Sequence, residues 1–350
     1  SYRNEIIFVY LYRDNILKAN KVMNKLLYLL LIAVCWSCSQ DSETEKHQSK
    51  RDQVVDVRDK MKEFSTQDVL IGRISRTYLI VTDYNSPDKL IHLFDKNTFE
   101  HLASSTYQGQ GPDEITIIGH VGIDETNRRF FVSDHGKLKI FAYDLDSVLT
   151  TPEYQPSVKI DMKKKLFPDD YLYLNDTLCI AKIIEPIGNN DYKPSVARWN
   201  MATGEINPMP YEYPDLKKVR FIYAASAEHQ LYVQCYTQYD LMTICDFNGN
   251  LKCNIYGPKW VNEKTQTQHY SLGVEFCGDK ILALYSGGDH RTDAYYPTKF
   301  LVFDLNGNYL KTLETGYMIT DFCYDKENNR LIINLNDEIQ FAYLDLEGII

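Results

Sequence analysis

The densest run of chemically capable side chains is Asp289-His290-Arg291-Thr292-Asp293-Ala294-Tyr295-Tyr296. His290 beside Asp289 suits acid–base work, and Arg291 suits a carboxylate or phosphate. Tyr295 and Tyr296 offer stacking surface for a sugar or a peptide. A solvated loop without chemistry explains the same residues. The opposing candidates are Tyr239-Asp240, with Tyr236 and Gln238 beside them, and Asp134-His135. Convergence of Asp134, His135, Asp289, His290 and Arg291 would make an enzyme, and separation would remove that reading. Acids also open the loops at Asp83, Asp134, Glu185, Asp240, Asp289 and Asp337. Carboxylates in a ring suit Ca²⁺, while Asp at a strand end equally serves turn chemistry by accepting from the following backbone.

Gly109-Gln110-Gly111-Pro112-Asp113-Glu114 is not a phosphate loop, because no Lys-Ser/Thr and no helix follows. Gly109, Gly111 and Pro112 fit a tight crossing, with Glu114 bonding backbone amides. No Gly-x-Ser-x-Gly or His-Glu-x-x-His occurs, and the eight histidines are scattered singly. No cofactor is implied beyond the Ca²⁺ alternative. Six cysteines after position 38 fall on expected strands, as buried free thiols commonly do. Cys235 and Cys245, flanking the loop at Asp240, are the pair placed to oppose each other.

The elements that carry these residues repeat. A short apolar strand ends in Asp or Asn, turns, and returns as a second strand. The anchors are Asp95, Asp144, Asn200, Asp246, Asp304 and Asp345, spaced 49, 56, 46, 58 and 41 residues apart. Asn248-Gly249 and Asn306-Gly307 suit turns that demand positive φ. A second strand pair precedes each anchor, joined at two copies by Asp-x-x-Asn-x-Arg or Asp-x-x-Asn-Asn-Arg. Six units of four antiparallel strands, A to D, predict an all-β, six-bladed β-propeller. Helical candidates are confined to 55–64 and 161–167.

In such a ring the A–B and C–D turns share one face, and these are short. The B–C and D–A connections share the other. They include 103–116, 150–169, 207–219, 255–270, 184–195 and 286–298. Long loops on one end of a rigid scaffold are where binding residues gather. The candidate ligand face is therefore this one.

Composition sets outer bounds. The chain has 350 residues, 44% hydrophobic, with a net charge of −10 and 27 Tyr. That apolar fraction excludes disorder as the main state. The acidic balance argues against nucleic acid as a partner. Leu26 to Trp36 is an apolar run of 11 residues, too short for a membrane-spanning helix but suited to a signal peptide. Lys21 and Lys25 precede it and Ser37-Cys38-Ser39 follows. This junction resembles the lipobox of bacterial lipoproteins, which implies lipidation at Cys38.

The expected organisation is an upstream segment over 1–22, a signal peptide over 23–37, a flexible tether over 38–53 and one propeller over 54–350. The ring is expected to close through 348–350 or through an N-terminal segment near 54–57 or 69–74. The lipobox-like start, the six repeats and Gly109–Glu114 together resemble the TolB-like six-bladed propeller lipoproteins of Bacteroidetes. That resemblance implies an outer-membrane lipoprotein, periplasmic or surface-exposed, touching the membrane through its anchor only. The expected function is binding of a protein, peptide or glycan of the cell envelope. The alternatives are a propeller hydrolase or lyase with a metal or His/Arg/Tyr site at the channel mouth, and a structural component of an envelope complex.

Overall fold

The central strands B and C of most blades read as nearly apolar runs because both of their faces are buried. In blade 1, Leu79 and Val81 pack toward blade 6 while Ile80 between them packs toward blade 2. The two-residue side-chain period of a strand thus feeds two junctions at once. Six apolar clusters result, one at each blade-to-blade junction.

The computed structural model describes residues 44–65, 72–74, 78–162, 166–188, 191–214, 216 and 219–350. The segments 1–22 and 23–37 and the lipidation residue Cys38 lie outside the described residues. One compact unit spans His47–Ile350. Strands A to D of blade 1 are Gly72–Ile74, Tyr78–Thr82, Lys89–Asp95 and His101–Tyr107. Those of blade 2 are Ile118–Asp124, Arg129–Asp134, Lys139–Asp144 and Ser157–Asp161. Blade 3 has Phe167–Asn175, Leu178–Gly188, Asp191–Trp199 and Ile206–Pro208. Blade 4 has Phe221–Ser226, Leu231–Tyr236, Leu241–Asp246 and Leu251–Tyr256. Blade 5 has Thr267–Cys277, Lys280–Asp289, Lys299–Asp304 and Tyr309–Glu314. Blade 6 has Ile319–Asp325, Arg330–Leu335 and Phe341–Asp345, with Lys62–Phe64 as its outer strand. The protein is a six-bladed β-propeller of mainly four-stranded antiparallel sheets, as the repeat predicts.

The repeat anchors are turn formers. Asp95 Oδ1 accepts from the amides of Asn97 at 2.8 Å and Thr98 at 2.9 Å. Asn200, Asp246 and Asp304 hold their C–D turns in the same way. Gly249 and Gly307 sit at φ +80° and +81°, where a side chain would be strained. The Asp-x-x-Asn-x-Arg phrase is an A–B turn in which Asp124 accepts from Asn127 and Arg129. Asp325 does the same with Asn328 and Arg330.

Several details differ from the sequence reading. Residues 55–64 are not a helix: they hold two short strands flanking a 3-10 turn at Arg58–Lys60. The C–D connection of blade 2 is a short helix, Leu145–Thr150, capped by the Asp144 carboxylate, which accepts from Ser147 N at 2.8 Å. Cys235 faces Met242 and Cys245 faces Tyr232, so the two cysteines are not opposed. All six described cysteines are buried and free. Burial pushes the Cys179 and Cys245 thiols up to about 12, which makes them inert.

Ring closure comes from the N-terminal side, at a segment between the two expected ones. Lys62–Phe64 pairs antiparallel with blade 6, Phe64 opposite Phe341 and Lys62 opposite Tyr343. Phe64 stacks on Phe99 of blade 1 at 3.8 Å. Beneath that seam the buried Lys96 ammonium bonds Asp325 at 2.8 Å and Glu327 at 2.9 Å. Before closing the ring, the chain runs along two other blades. The Gln48 amide bonds the Tyr256 carbonyl of blade 4 at 2.8 Å. Val54–Asp56 pairs parallel with Tyr309–Glu314 of blade 5. Residues 47–53, read as part of a flexible tether, are therefore the start of a strap docked on the rim.

Candidate functional site

Two neighbouring junctions on the loop-rich face carry most of its buried polar chemistry. At the blade 4–blade 5 junction the strap inserts Arg51. Its guanidinium bonds Asp240 Oδ1 at 2.9 Å and the Tyr270 hydroxyl at 3.1 Å. It lies 4.8 Å from the centre of the Tyr285 ring. Gln48 accepts from Arg51 Nε at 2.9 Å. Asp240 is wholly buried, and its second oxygen accepts from the Lys259 amide at 3.1 Å. Gly257 is required there, since a Cβ would meet that carboxylate at 2.1 Å. Burial works against the Arg51 charge, but Tyr270, Asp240 and Tyr285 more than offset it, so its pKa rises. His269 bonds the Tyr285 hydroxyl at 3.2 Å, and burial pushes its ring down to about 4. Outside Arg51 a cavity of 210 Å³ remains, walled by the strap at Val54 and by Lys259, Lys299 and Glu314.

At the blade 3–blade 4 junction the strap's His47 stacks on Tyr256 at 4.4 Å, and among the described residues no strap residue lines the cavity. A cavity of 270 Å³ opens there, between the 184–195 hairpin, the 207–219 connection and strand B of blade 4. Tyr192, Tyr211, Tyr213, Phe221 and Tyr236 wall it. Their hydroxyls fix several of these rings: Tyr211 bonds Asn254 at 3.2 Å and Tyr213 bonds Tyr256 at 3.2 Å. Gln234 lies on the cavity lining and is only 6% exposed. Its strand is otherwise apolar or aromatic, Leu-Tyr-Val-Gln-Cys-Tyr. At the rim, Lys193 pairs with Glu212 at 2.8 Å and Arg220 with Asp191 at 2.8 Å. Arg220 also covers the Tyr192 ring at 3.7 Å.

The sequence-predicted site residues fall into three separate places. Asp134 is fully buried and accepts from four amides, those of Thr116, Ile117, Gly136 and Lys137. It is a turn carboxylate with no capacity left for a ligand. His135 packs over Gly119, where a Cβ would come within 2.5 Å of its Nε2, and burial lowers its pKa. Asp240 is closed off by Arg51, and Tyr239 is buried 6.1 Å from Trp260. Asp289 and Arg291 pair with each other at 2.6 Å within their own loop, which holds the Asp289 carboxyl below the usual range. His290 bonds the Gln266 carbonyl, and the Tyr295 ring packs tilted against Tyr296 at 4.2 Å.

Among the described residues no hydrogen bond or ion pair joins Asp134 or His135 to Asp289, His290 or Arg291. The convergence an enzyme would need at those five residues is absent. Nor do the acids of the ring gather: among the described residues no three His, Cys, Asp or Glu side chains could hold one metal ion. The Ca²⁺ expectation therefore has no site among them. Glu114 folds its own loop by accepting from the Gly111 amide at 2.7 Å. Gly109 and Gly111 lie so close to its carboxylate that a Cβ would meet it at 2.0 and 2.9 Å. Lys137 bonds the carbonyls of Gly111 and Glu114 from the neighbouring turn.

Arg51 and Gln234 were not among the sequence candidates. Arg51 sits in a polar stretch with no pattern to single it out. Gln234 has a signal in hindsight, one amide inside an apolar strand. The two long connections 184–195 and 207–219 flank that same junction.

Comparison with known proteins supports the architecture and stops there. The sequence model of a family described as DUF5128, a 6-bladed beta-propeller, matches residues 45–176. No curated protein matches the chain. Among solved structures, the chain is similar to a member of the DUF4221 family from Bacteroides vulgatus, with 12% identity and a TM-score of 0.50. The match covers 81% of this chain and 91% of that one. It is also similar to U3-55K, with 9% identity and a TM-score of 0.50, over 79% of this chain and 80% of that one. Both likenesses are of fold alone. The class that fold and comparisons define is a six-bladed β-propeller.

Proposed function

We propose that this propeller is a binding module of the bacterial cell envelope that takes its ligand on the loop-rich face. The observation that carries the reading is the 270 Å³ aromatic cavity between blades 3 and 4. Its size lies just under the roughly 300 Å³ at which small-molecule sites begin, and its lining is the usual apolar wall with a few polar groups. The same face also exposes Tyr84, Tyr107, Ile117, Ile187 and Val261 in its connections, and apolar exposure of this kind favours a contact surface. A hydrolase or lyase reading has less support, because its candidate residues are engaged separately in three blades. The test is binding of the immobilised full chain to envelope glycan and peptide fractions. Saturable capture weakened by Tyr192→Ala supports the reading, and capture unaffected by that change counts against the cavity.

The lipobox-like junction at Ser37-Cys38 supports a finer reading as a TolB-like lipoprotein of the outer membrane, anchored through Cys38. On that reading the strap begins nine residues beyond the lipid. Metabolic labelling with a fatty acid tests it: label must enter the wild type and be lost in Cys38→Ser.

A further inference from the structure

We infer that the cavity outside Arg51, at the blade 4–blade 5 junction, takes a small carboxylate with a short apolar body. This second site on the loop-rich face is independent of the cavity between blades 3 and 4. The stretches that wall it, 51–54, 240, 258–259 and 285–314, all lie within the described residues. Its lining carries three cations, Arg51, Lys259 and Lys299, and two anions, Asp240 and Glu314. Arg51 takes Asp240 at 2.9 Å, and Lys299 stands 3.7 Å from Glu314. Among the described residues no carboxylate pairs with the Lys259 ammonium. The lining is therefore one anion short. An entering anion has that charge to offset its desolvation, and an ammonium ion has nothing.

Lys259 is an exposed residue, yet it is held in place. Its backbone amide bonds the buried Asp240 carboxylate at 3.1 Å. The next amide, that of Trp260, closes a turn on the Gly257 carbonyl at 3.0 Å. The ammonium lies over Gly287 in strand B of blade 5, 3.5 Å from where a Cβ would stand. Gly287 sits at φ +78°, so a glycine supplies both the backbone angle and the space beside the ammonium.

Arg51 is the inner cation, with 8% of its side chain exposed. Its Nε and Nη2 carry its bonds to Gln48, Asp240 and Tyr270, and Nη1 is in none of them. The guanidinium and the Lys259 backbone already share one carboxylate, Asp240, through its two oxygens. A second carboxylate in the cavity has one oxygen for Nη1 and one for the Lys259 ammonium, both as charge-assisted bonds. Val54, Pro258, Leu301 and the Tyr285 ring supply the apolar wall. The volume of 210 Å³ is below the roughly 300 Å³ at which sites for larger ligands begin, so the body is short. A free short-chain acid and the C-terminal residue of a peptide both offer this chemistry.

The probes are 3-methylbutanoate, N-acetylleucine, the amide of each, and inorganic phosphate, titrated calorimetrically into the full chain. The expected result is saturable heat with at least one of the two carboxylates and none with either amide. Tighter binding of 3-methylbutanoate names a free acid, and tighter binding of N-acetylleucine names a peptide end; both uphold the site. Lys259→Gln should weaken the binding about tenfold or more, while the urea midpoint stays in place. Lys259→Arg keeps the charge and should retain most of the affinity. Equal binding by the wild type and Lys259→Gln overturns the site, as does binding of the amides. Saturable phosphate binding in place of the carboxylates overturns the carboxylate class. Silence from every probe overturns the site and leaves the blade 3–blade 4 reading standing, because Tyr192→Ala tests that one separately.

Discussion

The two junctions that flank blade 4 are built from similar parts and differ in what the strap places in them. Tyr236 and Tyr285 are each the sixth residue of strand B in their blades. Tyr285 lies under the Arg51 guanidinium, and Tyr236 lines an open cavity. At blade 4–blade 5 the chain supplies its own occupant, and Arg51, Asp240, Tyr270, Tyr285 and His269 bond one another. At blade 3–blade 4 Asp191 takes Arg220 at the rim, and Gln234 lies on the cavity lining. A closed polar network is a structural device. The N-terminal strap places Arg51 inside one junction and His47 on the Tyr256 ring of the other.

Deleting residues 47–64 should break the comparison most severely. It removes Arg51 and also the outer strand of blade 6. Urea unfolding followed by circular dichroism should lose its single cooperative transition, and retention of that transition would make the strap an ornament. Arg51→Met should come next. It leaves the buried Asp240 carboxylate without its cation, a change that costs about 3–5 kcal/mol. It is read as a shift in the urea midpoint at unchanged slope.

The pH dependence sharpens the same junction. Burial lowers the folded-state pKa of His269 from 6.5 to about 4. The unfolded chain therefore binds this proton first, and stability rises with pH. The contribution is complete above pH 6.5 and is lost as pH falls toward 4. At 1.36 kcal/mol per pH unit the loss is about 3 kcal/mol at most. His269→Gln should flatten the stability curve in that window. A variant curve that parallels the wild type would place the acid sensitivity elsewhere.

Gln234→Leu should have the smallest effect on stability, within about 1 kcal/mol in either direction. It replaces a mostly buried amide on the cavity lining with an apolar group of similar size. A large loss by urea unfolding would mean that Gln234 is part of the network holding blade 4, as Arg51 is at the next junction.

The ring was legible because its physics is local and repeated. An Asp or Asn that ends strand C caps the next turn, and doing so in blade after blade leaves a pattern that can be counted. Asn-Gly turns announce their own backbone angles at Gly249 and Gly307. Connection lengths were legible only in part: 150–169 instead contains strand Ser157–Asp161, and the helical connection Leu145–Thr150 joins strands C and D on the face where short turns were expected. The strap was not legible, because three-residue edge strands and one inserted arginine need no apolar period. The acids were half legible. Asp134 does end strand B of blade 2, while Asp240 lies in the B–C loop directly before strand C of blade 4, and what they face is set by segments distant in sequence. Asp240 meets Arg51 across 189 residues. The cavity forms between blades, so no single stretch of sequence contains it.

A double-mutant cycle on Arg51 and Asp240 tests most directly that the strap holds the blade 4–blade 5 junction through a buried ion pair. Urea unfolding of the wild type, Arg51→Met, Asp240→Asn and the double variant gives the coupling free energy. The account predicts about 2 kcal/mol or more, the range of close buried charge pairs. A coupling near zero would mean that Arg51 does not hold the blade 4–blade 5 junction, and the contrast between the two junctions would fall with it.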